Sequence, residues 1–217
     1  MEGAPTELYL HERGLTELPE SIGSQRALRV LDAGHNRLRE LPDSLGLLNE
    51  LEILYVHDNE LTALPRALFS LSRLEYLNAS ENHLSELPAE IGRLRSLIEL
   101  RLLHNSLAEL PSSIGQLQQL RELHLRGNQL GSLPDTIGWL AELRLLDLRE
   151  NAIAEVPDSI ASLTKLRTLD LRANRLTSLP PALANMPALE KLDLRWTDVE
   201  LPDWTSDLRE RGVVILH

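Results

Sequence analysis

The chain has 217 residues, with 22 Lys and Arg against 33 Asp and Glu and a formal net charge of −11. That balance excludes nucleic acid or an anionic membrane as the main partner, because both require a net basic surface. There is no Cys, which excludes a disulfide framework, thiolate metal sites and thiol nucleophiles. Hydrophobic residues make up 42% but aromatics only 3%, so the expected core is aliphatic and built mostly of Leu. No apolar run approaches the roughly 18 residues of a membrane helix. The opening MEGAPTELYLHERG lacks a basic start followed by an apolar stretch, so no signal peptide is expected and the cytoplasm is the expected location.

In chain order, the first apolar unit opens at residue 5 and the pattern then recurs. Leu28, Leu51, Leu74, Leu97, Leu120, Leu143, Leu166 and Leu189 fall every 23 residues. Eight full units, starting at 5, 28, 51, 74, 97, 120, 143 and 166, run to residue 188 without insertion or deletion, and a ninth starting at 189 breaks off after Val199. The template is LxxLxLxxNxLxxLPxxIxxLxx. Its first half alternates with period two, predicting a short strand with one buried face. The LP pair ends regular pairing, since Pro donates no hydrogen bond. IxxL then returns the chain with helix-like spacing. One unit cannot bury its own Leu face, so the units are expected to stack, each touching only its neighbours.

This 23-residue LxxLxLxxNxLxxLPxxIxxLxx pattern resembles the leucine-rich repeat family, in its intracellular form. It is similar to bacterial leucine-rich repeat proteins and to plant intracellular Ras-group-related ones. The resemblance implies an α/β fold: a right-handed curved solenoid, with a parallel β-sheet on the concave face and short helical or 3-10 turns on the convex face. It covers nearly the whole chain as one domain, 1–217. It implies a non-catalytic module that binds a protein, without cofactor. A bacterial member could also be delivered into a host cytosol. The column Asn36, Asn59, Asn82, Asn105, Asn128, Asn151 and Asn174 is expected inside the turn after each strand, bonding neighbouring backbone. Arg13 and Thr197 take that place in the end units.

The ends depart from the template. The first unit has Gln25 where others have Leu or Met, and no separate N-terminal cap is expected. That unit is either its own cap or has its edge paired by something else, as in a homodimer through the exposed end. At the other end, 200–217 is expected to form a cap. Asp203 would cap a short helix through about Arg211, Gly212 would end it and Val213–Leu216 would form a last strand. Trp204 would cover the end of the core.

Function should sit where units differ. Unit positions 3, 5, 7 and 8 are expected to point away from the core, forming columns about 4.8 Å apart between strands. Tyr9, Tyr55 and Tyr76 lie on this face with Val30, Ile53 and His57 in the first half. An aromatic cluster rimmed by polar groups suits a protein-binding hot spot, though Tyr also favours strands for its own sake. In the second half Arg126, Arg149, Arg172 and Arg195 run beside Asp147, Asp170 and Asp193, with Trp196 at the end. These charges form either a self-neutralising ladder of exposed pairs, each of low value, or a docking surface for a partner of complementary charge, anchored by Trp196. His11, His35, His57, His83, His104 and His124 fall at or beside the same positions. Zinc needs ligands converging at about 2.0–2.1 Å, whereas strand side chains run parallel and no compact ligand spacing appears. No metal site is therefore expected, and a pH-sensitive interface is the alternative. No phosphate loop, GxSxG elbow or HExxH is present,. The reading is a scaffold that binds a protein partner on its concave face through Tyr9, Tyr55, His57, Tyr76, Arg126, Arg149, Arg172, Arg195 and Trp196. The alternatives are a structural spacer, the repeat part of a larger signalling or effector protein, or a His-rich metal-binding protein.

Overall fold

The computed structural model describes residues 5–217. Unit positions 3 to 5 form three-residue strands: β1 (Glu7–Tyr9), β2 (Val30–Asp32), β3 (Ile53–Tyr55), β4 (Tyr76–Asn78), β5 (Glu99–Arg101), β6 (Glu122–His124), β7 (Leu145–Asp147), β8 (Thr168–Asp170) and β9 (Lys191–Asp193). With β10 (Val214–Leu216) they make one open sheet of 10 parallel strands in chain order. From β1 to β9 each residue pairs with the one 23 further on, as Leu8 with Leu31 and Leu146 with Leu169. A register slip of one residue would turn the Leu face outward. The middle residue of each strand from β2 to β9 is fully buried.

Each full unit returns through a five-residue 3-10 turn that follows a Pro, from Glu20–Ser24 in the first to Pro181–Asn185 in the eighth. The Pro holds φ near the value such a turn needs and gives up an N–H that the turn would leave unpaired. The turns pack closely. A Cβ at Gly115 or Gly138 would lie 2.3 Å from a carbonyl oxygen of the next unit. The single Phe of the chain, Phe69, takes the equivalent place in its own unit and is buried.

Unit position 8 is left-handed throughout. Glu12, His35, Asp58, Glu81, His104, Glu150, Ala173 and Trp196 have φ between +50° and +62°, and Gly127 has +71°. Such backbone costs a non-glycine residue about 1–2 kcal/mol. The Asn column offsets it. Asn82 Nδ2 donates to the carbonyls of Val56, Ala79 and Ser80, and its Oδ1 accepts the Leu61 N–H at 2.9 Å. One side chain thus ties its own turn to the preceding unit, and Asn36, Asn59, Asn105 and Asn174 repeat the pattern.

The two ends differ. At the C-terminus α1 (Thr205–Glu210) and β10 close the core, with β10 pairing β9 and Trp204 packed on the core. Gly212, at φ +91°, ends the helical segment. Asp203 does not cap it through its side chain. Instead its carbonyl accepts the Ser206 N–H at 3.1 Å, because the helix begins one residue later, after Trp204. At the N-terminus Leu8, Leu10 and Leu15 are only partly buried, and no element among the described residues lies outside β1.

Asn105→Ala strips its carbonyl and amide partners of their bonds in a buried turn. It is expected to lower unfolding free energy by about 1–3 kcal/mol, read as a lower urea midpoint.

Candidate functional site

The constant register places equal unit positions side by side, so the columns read from the sequence are physical rows across the sheet. Tyr55 and Tyr76 meet with ring centres 5.0 Å apart, and the His57 ring stands edge-on to Tyr55 at 6.0 Å. Ile53 pairs with Tyr76 across β3 and β4. These side chains are half-buried, because they lean on one another. Burial pushes the Tyr76 phenol above its usual pKa. Tyr9 stands apart: Asp32 lies between it and Tyr55 in the register, and its hydroxyl donates to Glu7.

The histidines behave differently from the expectation of parallel side chains. The left-handed backbone at His35 lets its ring meet that of His57 from the neighbouring unit, with ring centres 4.6 Å apart and edge-to-face. Their Nε2 atoms are 3.2 Å apart, and His35 Nδ1 lies 2.6 Å from Asp58 Oδ2. The hydrogen bond to Asp58 raises the His35 pKa, whereas burial, followed by the charge of His35, lowers that of His57.

The Arg and Asp columns form an internal ladder. Arg149 grips Asp147 with two nitrogens at 2.7 and 2.8 Å and lies 3.6 Å from Asp170. Arg172 grips Asp170 and also lies 3.3 Å from Asp193, and Arg195 closes the row on Asp193 at 2.8 Å. The expectation of exposed pairs is corrected here: Asp147, Asp170 and Asp193 are buried beneath their guanidinium partners. Each carboxylate also accepts the backbone N–H two residues on, which draws it down toward the sheet. Arg126 has His124 rather than Asp at the matching place and turns instead to Glu150. Its side chain and that of Arg195 are 36% and 38% exposed, against 27% and 17% for Arg149 and Arg172. The outer two are thus the more available to a partner. Trp196 is 74% exposed, with the Arg195 guanidinium 5.7 Å from its ring centre.

Sequence reasoning missed one cluster. Glu99, Glu122 and His124 bring one ligand atom each to within 4.8 Å of one another. Two Glu in adjacent units at position 3, with His two residues after the second, was the available signal. Arg101 Nε bonds the same Glu99 Oε1 that faces His124, so the cluster carries its own cation. Among the described residues no helix is long and apolar enough to cross a membrane.

A stack of identical strand–turn units, tied by an Asn ladder and presenting a continuous side-chain face, defines a repeat solenoid. The comparisons give its kind. Family profiles described as "Leucine-rich repeat region" match residues 65–140 and 114–210, and one described as "Leucine rich repeat" matches 26–84. The chain belongs to the leucine-rich repeat family. Members are generally non-catalytic binding modules, and the fold is typical of protein–protein interaction modules. No curated protein matches the chain in sequence. Among solved structures it is similar to a leucine-rich repeat protein of Leptospira interrogans, at 30% identity over 97% of this chain and 60% of that one, TM-score 0.75. An internalin of Listeria monocytogenes, at 19% identity over 97% and 60% with TM-score 0.83, shares the fold. A plant peptide hormone receptor, RGFR1, in complex with RGF2, is 25% identical over 97% of this chain and 39% of that one, TM-score 0.72. The chain therefore spans about 60% of the length of the two bacterial proteins.

Burial alone would raise the Asp193 pKa. The Arg195 side-chain and backbone hydrogen bonds and the charges of Arg172 and Arg195 outweigh it and hold the carboxyl below its usual value. A depressed carboxyl pKa adds stability that is present above the unfolded value of about 3.9 and is lost as pH falls through the folded value. Asp193→Asn is expected to cost about 1–3 kcal/mol at neutral pH. In urea titrations the gap between wild type and variant should shrink as pH drops below about 4.

Proposed function

We propose that the chain is a non-catalytic interaction module that docks a partner protein on its concave face, in the cytoplasm. The observation that carries this reading is the preformed Tyr55–Tyr76–His57 cluster, with ring centres 5.0 and 6.0 Å apart, on a rigid sheet in a chain otherwise poor in aromatics. Rings already held in contact lose little rotamer freedom when a partner covers them. Aromatic anchors of this kind dominate binding energy where water is excluded. Trp196, with Arg195 beside it, supplies a second anchor at the far end of the same face, and Arg126 lies between the two. The similar plant receptor is recorded in complex with RGF2, which supports a peptide or protein ligand for this fold. Arg149 and Arg172 serve this reading by holding the surface rather than by contact, since each is shared between two carboxylates.

The test is affinity capture from the native cytosol, followed by titration of the captured protein. Tyr55→Ala/Tyr76→Ala is expected to weaken binding at least about 10-fold, the hot-spot range, and Trp196→Ala to weaken it less. A captured partner bound equally well by wild type and by the Tyr double variant would refute the concave-face reading.

A further inference from the structure

We propose that His35 and His57 form a binding site for a divalent transition-metal ion such as Zn2+ or Ni2+, with Asp58 orienting one ligand. The inference goes beyond protein docking and does not depend on it.

The geometry comes first. Two nitrogens bound to one such ion at about 2.0–2.1 Å stand roughly 2.9–3.4 Å apart, across square and tetrahedral angles. The His35 and His57 Nε2 atoms are 3.2 Å apart, a hydrogen-bond contact whose separation also falls in this range. Side chains from two different units reach this separation because His35 sits on left-handed backbone.

Tautomers come second. In the neutral tautomer that carries its proton on Nδ1, toward Asp58 at 2.6 Å, His35 has its Nε2 lone pair free for a ligand. A carboxylate behind a histidine in this way is the usual outer partner of a metal-binding imidazole. His57 Nδ1 is buried and makes no hydrogen bond, so Nε2 is the nitrogen that this ring presents.

Space and charge come third. Gly34 lies under the His57 ring, and a Cβ there would sit 2.5 Å from His57 Cε1. The carboxylates of Glu12, Asp32, Asp58 and Glu81 act on the pair. Among the described residues no Lys or Arg hydrogen-bonds either ring, whereas the Glu99–Glu122–His124 cluster has Arg101 on one of its ligand oxygens. A dication is therefore favoured at the histidine pair over that cluster. His35 is about half exposed, which leaves room for water to complete the coordination.

Isothermal titration of the whole protein with Zn2+, and separately Ni2+, in a non-chelating buffer at neutral pH tests this. One saturable site is expected. Single His35→Ala and His57→Ala variants should each abolish it, and Asp58→Asn should weaken it by about 10–100-fold. Gly34→Ala, which leaves both ligands in place, should weaken it by displacing the ring. His124→Ala should leave it unchanged. Because an alanine variant could fail to fold, the wild-type imidazole resonances give an independent readout, and those of His35 and His57 should shift on Zn2+ addition. No saturable binding at millimolar metal, binding that survives both histidine variants, or shifts confined to His124 would overturn the proposal.

Discussion

Everything in this molecule hangs on the fixed 23-residue step of the sheet register, and that step is set inside the turns rather than along the strands. A three-residue strand offers few ladder bonds and would slide easily on its own. The Asn side chain prevents sliding by taking partners in two units at once: three carbonyls, one of them in the preceding unit, and one N–H of that preceding unit. Buried backbone groups must find partners, and here one side chain supplies four. A one-residue insertion in any unit would break that set and expose a row of Leu. The unbroken spacing of the sequence follows from this.

Much was legible in the sequence because the repeat converts spacing into position. Leu periodicity gave the strands, Pro marked the turns, and the β-branched run near the C-terminus marked the tenth strand. What escaped notice was rotation about the strand axis and depth below the surface. The His35 ring could be assigned to a face, yet its approach to His57 depends on the sign of φ at unit position 8, where His, Glu, Ala and Trp give no warning of left-handed backbone. Asp147, Asp170 and Asp193 could be placed beside Arg149, Arg172 and Arg195, yet their burial depends on the backbone N–H that each carboxylate accepts. The Asp203 cap failed for a related reason. The side chain suited the role, but the helix started one residue beyond its reach.

The ladder also changes what the net charge of −11 means for this face. Where Arg and Asp alternate across β7 to β9, the surface is neutralised by its own residues and held rigid. The chemically open parts are the aromatic cluster, the histidine pair and the exposed Trp196 at the far end. A shared guanidinium in the ladder acts chiefly on the shape of the surface, because removing it strands two carboxylates that the fold has already taken out of water.

The unequal ends give the molecule a direction. Units touch only their neighbours, so opening must start at a terminus or break two interfaces at once. The C-terminal unit is closed by α1, β10 and Trp204, while Leu8, Leu10 and Leu15 of the first unit remain half-wetted. Among the described residues, peeling from the β1 side sacrifices one interface and little buried area. Peeling from the β10 side must first dismantle a helix, a strand and the Asp193 cluster. Within residues 5–217, fraying is therefore expected to begin on the β1 side, with the slowest amide exchange in the later repeats,.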